Sequence, residues 1–251
     1  MTDRFCSLLF GLAVLAGWEV LVRVIEVPSY LVPGPLDIFQ AFVDEPLGLL
    51  VSLASTLAVT ITALICSASV GVLLGVIMVY SRFARAAIAP WAVVLQVTPI
   101  VAIAPLIVVW VGNPFASLVV CATIVAFFPI YSNTLEGLES MSSDLADLFR
   151  LYGAGRYTTL MLLRIPSATP YFWNGLRISG GLALVGAVVA EFVAGSGGFA
   201  SGLAYRILEA GYRLEVPRMF AALILLSLAG IAISAGLGAL AKIPMDRRSR
   251  R

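Results

Sequence analysis

The sequence of 251 residues contains no histidine. Without imidazole, the chain lacks the usual base of a Ser-His-Asp triad and the commonest protein ligand of zinc. Cysteine is also scarce, and Cys6, Cys66 and Cys121 lie far apart within apolar stretches. Such spacing is typical of cysteines packed in helices, not of a disulfide framework or a metal cluster. We therefore predict no catalytic residue, no metal site and no cofactor.

Charged residues are few as well. They make up 12% of the chain, whereas hydrophobic residues make up 61%, and the mean hydropathy is +1.02. Soluble domains carry about 25% charged residues, so most of this surface must face lipid or other buried helices. A span needs roughly 20 residues, and the length therefore accommodates about six spans. The predicted fold class is all-α, a polytopic membrane bundle of about six transmembrane helices.

The apolar stretches give approximate boundaries for these spans. Arg4 precedes the first stretch, and no small-residue cleavage site follows it, which predicts an uncleaved helix and not a signal peptide. Glu19 and Arg23 stand one helical turn apart and are expected to pair. A Pro-rich segment and a short amphipathic helix follow. The predicted spans are 5–22, 47–80, 87–110, 115–135, 171–192 and 219–240, the short helix is 36–43, and the polar loops include 27–35 and 193–218.

These boundaries predict three regions. Residues 1–46 hold the first transmembrane helix and a Pro-rich periplasmic segment, residues 47–241 form the transmembrane core, and residues 242–251 are a basic cytoplasmic tail. If both termini are inside, 12 of the 16 basic residues lie on the inner side. The positive-inside rule favours this topology. We therefore expect a multi-pass protein of the inner (plasma) membrane with both termini cytoplasmic.

Polar residues inside the spans are candidates for a translocation path. Residues 86–135 contain no Asp, Glu, Lys or Arg, yet the helix predicted at 87–110 contains Gln96, Thr98 and Pro99. Proline kinks a membrane helix and frees carbonyl groups, which a water-filled cavity can satisfy. A kink needed only for packing is the equal alternative. Glu191, at the outer end of the fifth span, is either a residue of the path or a solvated interfacial carboxylate.

Residues 144–166 form a charged segment between two long apolar regions. Ser142, Ser143 and Asp144 offer N-cap side chains, and Asp147 lies in the first turn. An apolar stripe of Leu145, Leu148, Phe149 and Tyr152 follows, and Gly153 and Gly155 end the helix. A second short helix is predicted from Arg156 to Arg164, ending before Pro166. Such a helix-turn-helix suits docking in the groove of a partner protein; the alternative is packing beneath its own bundle.

The spacing in this segment resembles the cytoplasmic signature of permease subunits from ATP-binding-cassette importers of the binding-protein-dependent type I family. That signature is Glu-Ala-Ala, three residues, Gly, nine residues, then Ile-x-Leu-Pro. Asp147, Leu148 and Phe149 occupy the first positions, Gly153 the glycine, and 163–166 the end. The acidic residue is Asp instead of Glu, and neither alanine is kept.

The resemblance extends beyond the signature. Residues 31–35, 128–137, 175–177 and 189–191 are similar to the branch that includes nitrate, sulfonate and taurine permeases. Residues 98–110 look closer to members of that branch that handle vitamin-type heteroaromatics, such as thiamine pyrimidine precursors or riboflavin. The resemblance therefore implies such a cargo, with an alkanesulfonate, taurine or nitrate as the alternative.

The resemblance also implies partners. A second permease copy would form a homodimer, two copies of an ATPase would drive transport, and a periplasmic or lipid-anchored binding protein would deliver substrate. The resemblance implies no nucleic acid partner. No phosphate-binding loop is present, so a separate subunit would hydrolyse ATP. The implied ATPase-docking residues are Asp144, Asp147, Leu148, Phe149, Tyr152, Gly153, Arg156 and Pro166. A secondary transporter, an intramembrane enzyme and a non-transporting scaffold are the rival classes.

Overall fold

The computed structural model describes residues 2–194 and 201–249, and all regular secondary structure in that part of the chain is helical. The all-α fold class is confirmed. The helices are α1 Thr2–Val24, α2 Pro35–Asp44, α3 Pro46–Tyr80, α4 Arg82–Val97, α5 Ile100–Val111, α6 Pro114–Glu139, α7 Ser143–Leu151, α8 Arg156–Thr159, a π-turn Leu160–Arg164, α9 Ile165–Ala194, α10 Leu203–Tyr212 and α11 Val216–Ser249.

Four of the described helical stretches are long and apolar enough to cross a membrane. They are Pro46–Tyr80, Pro114–Glu139, Arg156–Ala194 and Val216–Lys242, and the bent pair α4–α5 makes a fifth. Helix α1 contains 23 residues, about 34 Å of rise, which exceeds the roughly 30 Å of a hydrocarbon core. It therefore has the length of a span, although it is not among these five, and the predicted number of about six is roughly consistent with the structure.

The chain divides into two compact units. The first contains Met1–Ser55 and Ser196–Leu228. Within it the predicted short helix is present as α2, and Arg23 pairs with Glu19 at 2.5 Å as expected. The prediction of a polar loop at 193–218 was wrong in one respect, because α10 lies inside this region. Its buried residues Leu203, Ala204, Ile207 and Ala210 follow a helical period, so the signal for this helix was present in the sequence.

The second unit contains Thr56–Gly195 and Ala229–Arg251, and helices α6 and α9 form its centre. Glycines bring the two backbones close together. A Cβ added at Gly186 would lie 2.8 Å from the Cα of Ala122, and one at Gly175 would lie 2.7 Å from the carbonyl oxygen of Pro129. The hydroxyl of Ser179 donates to the carbonyl of Ala126 at 2.6 Å. Small residues and such hydrogen bonds are the means by which helices associate in lipid.

Alanine at Gly186 is therefore expected to destabilise the protein by about 1–3 kcal/mol, because α6 and α9 must separate to admit the methyl group. Gly181, on the same helix, has nothing within 4 Å of its added Cβ. Gly181→Ala is the matched control and should leave stability unchanged or raise it by up to about 1 kcal/mol. Thermal unfolding of the purified variants in detergent measures the difference. Equal midpoints for the two variants would contradict this account of the packing.

Two predicted helix boundaries in this unit were wrong. The single helix expected at 87–110 is two helices, α4 and α5, which meet at an angle of 105°. The break falls at Thr98, whose ψ of 122° is extended, because the residue before a proline is disfavoured in the α region. The helix expected to end before Pro166 instead continues into α9. The π-turn Leu160–Arg164 precedes that proline, and its extra residue keeps the chain helical around a group that cannot donate.

Candidate functional site

Helix α7 forms with the predicted cap, but the position predicted for Asp147 was wrong, because the helix begins at Ser143 and only Asp144 lies in its first turn. The hydroxyl of Ser142 accepts a hydrogen bond from the backbone N–H of Leu145 at 3.2 Å, which caps the helix. Arg150 pairs with Asp147 at 2.9 Å on an exposed face. Ala146 is the buried residue of this helix. The rest of α7 is therefore open to a partner.

The apolar stripe of α7 is only partly covered by the chain's own described residues. Leu148 is 44% exposed and Tyr152 is 83% exposed, whereas Phe149 is half-buried. Leu151 is 85% exposed and Tyr157 is 72% exposed, and both were missed as docking candidates. Leu151 follows Leu148 by three residues, so helical spacing could have identified it. Packing beneath the bundle does not account for a stripe that is this exposed.

Gly153 makes the turn after α7. Its φ is +65°, a left-handed conformation that glycine adopts without a steric penalty. The N–H of Gly153 donates to the carbonyl of Arg150 at 3.0 Å, and that of Ala154 donates to Phe149 at 2.9 Å. This is the Schellman pattern of a helix C-terminus. The predicted stop is confirmed, and Asp144, Asp147 and Arg156 are exposed on either side of it.

The α7–α8 segment is fastened to the ends of two long helices by a group of four residues, Tyr80, Leu138, Arg156 and Arg164, which we call the Tyr80 junction. The hydroxyl of Tyr80, at the end of α3, donates to the carbonyl of Arg156 at 2.9 Å. Arg164, in the π-turn, donates to the carbonyl of Leu138 in α6 at 2.8 Å. Its guanidinium carbon lies 5.8 Å from the centre of the Tyr80 ring, within the range of a cation–π contact.

A second contact ties α4 to the same end of α6. Arg85 donates to both carboxylate oxygens of Glu139, at 2.5 Å and 3.0 Å. Such bidentate pairs fix geometry as well as charge. No local sequence pattern indicates this pair or the Tyr80 junction, because the residues in contact are between 26 and 84 positions apart. Pro166, predicted as a docking residue, is half-buried just after the π-turn.

A cavity of about 360 Å³ lies beside the break between α4 and α5. We call it the break cavity. Gln96 and Thr98 line it, as the predicted path requires, but Pro99 and Glu191 do not. The structure therefore brings together two of the four predicted path residues. The complete lining is Leu95, Gln96, Thr98, Ile100, Ile124, Val125, Phe128, Pro129 and Leu182.

Glu191 lies elsewhere in the second unit and is only 4% exposed. The hydroxyl of Thr56 donates to its carboxylate at 2.8 Å. Thr60, one turn further along α3, is also buried and donates to the carbonyl of Thr56 at 2.8 Å. The carboxylate is therefore enclosed by protein. It is not the solvated interfacial carboxylate that was the alternative prediction for Glu191. A role for it in the path stays a prediction.

Comparisons with known proteins agree with the residue pattern. A family model described as "Binding-protein-dependent transport system inner membrane component" matches residues 67–244. The chain is 34% identical to the formylaminopyrimidine transport permease protein ThiX of Halalkalibacterium halodurans, over 96% of this chain and 95% of that one. It is 26% identical to a putative aliphatic sulfonates transport permease protein, SsuC of Bacillus subtilis, over 89% of this chain and 80% of that one.

Two further similarities are to a second named transport permease and to a solved structure. The riboflavin transport system permease protein RibX of Chloroflexus aurantiacus is 37% identical, over 59% of this chain and 53% of its own length. The crystal structure of an amino acid ABC transporter with histidines matches with a TM-score of 0.65 at 17% identity, over 84% of this chain and 98% of that one. At this identity the structural match shows the fold alone.

Proposed function

Because the chain belongs to the family of binding-protein-dependent transport system inner membrane components, we propose that its α7–α8 segment is the surface on which an ATPase subunit docks. The chain is the permease of an ATP-binding-cassette importer, an inner-membrane protein whose family works with ATPase and substrate-binding partners. A permease of this kind is not itself an enzyme.

The exposed apolar stripe is the observation that carries the docking proposal. Leu148 and Tyr152 stand out from a short capped helix, with Phe149 beside them and Asp144, Asp147 and Arg156 at the rim. An amphipathic helix with anchors at this spacing binds by laying its apolar face into a groove. Gly153 sets the turn after it, and Pro166 follows the π-turn that returns the chain to the membrane.

The orientation we propose places this segment and both termini in the cytoplasm. The Tyr80 junction and the Arg85–Glu139 pair hold Arg85, Arg156 and Arg164 at one end of the second unit. A cluster of arginines at one end is typical of the cytoplasmic side. We also propose a homodimer that binds two ATPase copies and receives cargo from a periplasmic or lipid-anchored binding protein.

For the cargo we propose a small vitamin-type heteroaromatic, such as a thiamine pyrimidine precursor or riboflavin. The names of the relatives from Halalkalibacterium halodurans and Chloroflexus aurantiacus support this choice. An alkanesulfonate, taurine or nitrate is the second candidate, supported by the name of the Bacillus subtilis relative. Gln96, Thr98 and Pro99 at the helix break, together with Glu191, are the proposed residues of the path.

Purification of the tagged permease with its co-expressed ATPase tests the docking surface. Gly153→Val is expected to reduce the ATPase recovered about 5- to 30-fold, because valine at φ +65° is strained by roughly 1–3 kcal/mol and misdirects the turn. Gly155 is the matched control, since both glycines have open space around an added Cβ, but Gly155 has an ordinary φ of −68°. Gly155→Val should therefore retain the ATPase.

Recovery of the ATPase in full with Gly153→Val would contradict the docking model. ATP-dependent uptake of cargo by proteoliposomes that contain the whole complex then separates the importer from the rival classes. A secondary transporter would need an ion gradient instead of ATP, and a scaffold would show no uptake.

A further inference from the structure

We propose that the break cavity is a binding site that holds an uncharged, planar heteroaromatic cargo within the membrane during transport. The inference rests on the proposed function and deepens it, because it assigns a location and a charge to the cargo. A volume of about 360 Å³ is within the range of small-molecule sites, roughly 300–1,000 Å³.

The depth of the cavity follows from the geometry of α4. Arg85 lies in the first turns of this helix and pairs with Glu139, which fixes it at a polar end of the bundle. Gln96 follows Arg85 by about three helical turns, roughly 16 Å of rise along the helix. That distance is about half the thickness of the hydrocarbon core. The helix break at Thr98 therefore lies at most about half the core thickness from that polar end.

The amide of Gln96 points to a polar ligand at that depth. Gln96 is exposed and makes no hydrogen bond within the described part of the chain, whereas the Thr98 hydroxyl is engaged by the Val94 carbonyl at 2.6 Å. An amide cannot be left unpaired in hydrocarbon without a penalty. It offers an acceptor and two donors side by side. These groups of the Gln96 amide are complementary to a ring that carries a nitrogen acceptor next to an amino or amide donor.

The aromatic wall of the cavity supports a flat ligand. Phe128 lines the cavity, and its ring packs edge-on against Tyr131 with centroids 5.9 Å apart. That contact holds the Phe128 ring in place against Tyr131 within α6. Aromatic rings stack in offset or edge-on geometry, and the apolar side chains of Ile100, Ile124 and Val125 surround the same space. A ring can lie among them with its polar edge toward Gln96.

The charge of the cargo follows from the lining. None of the nine residues around the cavity is ionisable, and the cavity lies within residues 86–135, which carry no charge. A sulfonate or nitrate that entered it would lose its water without gaining a cation, which is strongly unfavourable. A neutral pyrimidine avoids that penalty. The cavity therefore favours the heteroaromatic candidates over the anionic ones.

Proteoliposomes with the complete complex of permease, ATPase and binding protein test the site, with formylaminopyrimidine as the probe and an alkanesulfonate as the comparison. At saturating binding protein, Gln96→Leu is expected to lower pyrimidine uptake about 5- to 30-fold, because the ring edge loses its partner. Gln96→Asn should restore part of the rate. Val97→Leu is the control, since Val97 is 71% exposed on the same helix and does not line the cavity. Basal ATP hydrolysis in Val97→Leu should equal that of the unsubstituted complex.

Thiol labelling reports occupancy directly. In a background with Cys6, Cys66 and Cys121 replaced, a small thiol reagent should modify Gln96→Cys, and formylaminopyrimidine delivered by the binding protein in the presence of ATP should protect it. Val97→Cys should show no protection. Equal protection of both cysteines, or pyrimidine uptake that is unchanged in Gln96→Leu, overturns the site. Uptake of the alkanesulfonate that is sensitive to Gln96→Leu overturns the cargo class.

These outcomes separate the site from the function on which it rests. If the ATPase does not co-purify with the permease, or no probe is transported in an ATP-dependent manner, the proposed function fails. If ATP drives pyrimidine uptake normally in Gln96→Leu, the proposed function stands and the break cavity is not the site.

Discussion

Replacing Leu148 with glutamate is expected to release the ATPase from the permease. Leu148 lies at the centre of the apolar stripe and is 44% exposed, so its loss leaves the fold of the permease intact. In the docked complex, however, the new carboxylate would be buried in an apolar groove without a partner. A penalty of about 3 kcal/mol or more follows, which corresponds to at least a roughly 100-fold loss of affinity.

The measurement is the affinity of the purified ATPase for the permease in nanodiscs, combined with co-purification from cells. Ser143→Glu is the matched control. Ser143 is exposed and begins the same helix, so the added charge is equal, but it lies off the stripe and suits the helix N-terminus. Ser143→Glu should bind normally. Loss of binding in both variants would indicate a general charge effect, and normal binding in both would contradict docking through the stripe.

Features set by local chemistry could be predicted from the sequence. The cap at Ser142, the stripe of α7 and the turn at Gly153 each depend on residues within a few positions of one another, and all three are present. The presence of several long apolar helices also follows from composition, although four or five of the described helices, and not six, are long and apolar enough to cross a membrane. Such features need no knowledge of which helices are neighbours.

Features that depend on distant contacts could not be predicted. The proline at 99 indicated a kink, but its angle of 105° is set by the helices packed around α4 and α5. Thr56 and Glu191 are separated by 135 positions, and no local pattern indicates their hydrogen bond. The π-turn at 160–164 is likewise a response to its surroundings, since propensity weakly determines helix type where tertiary packing is strong.

The Tyr80 junction connects the docking surface mechanically to two long helices. The α7–α8 segment is held to α3 through the Arg156 carbonyl and to α6 through Arg164. The Nε of Arg164 is buried without a hydrogen-bond partner among the described residues, which is unfavourable for a guanidinium. Arg164 lies inside a π-turn of the kind often found at functional sites, and it is retained despite this penalty. It is therefore suited to transmitting movement of the α7–α8 segment to α3 and α6.

Arg164→Leu is therefore expected to uncouple transport from ATP hydrolysis. The docking stripe is untouched, so the ATPase should still bind and hydrolyse ATP. Without the bond to Leu138 and the contact with the Tyr80 ring, the segment can move independently of α3 and α6. Loss of a charge-assisted hydrogen bond and a cation–π contact is worth about 2–3 kcal/mol, and the cargo moved per ATP hydrolysed should fall roughly 10-fold or more.

Proteoliposomes in which uptake and phosphate release are measured on the same sample give this ratio. Tyr80→Phe removes only the hydroxyl bond to Arg156 and keeps the ring beneath Arg164, so an intermediate ratio is expected. Arg150→Leu is the control, because Arg150 is an exposed arginine that pairs only with Asp147 within α7 among the described contacts, and it should leave the ratio unchanged. A normal ratio in Arg164→Leu, or loss of ATPase binding, would show that the junction serves stability or docking instead of transmission.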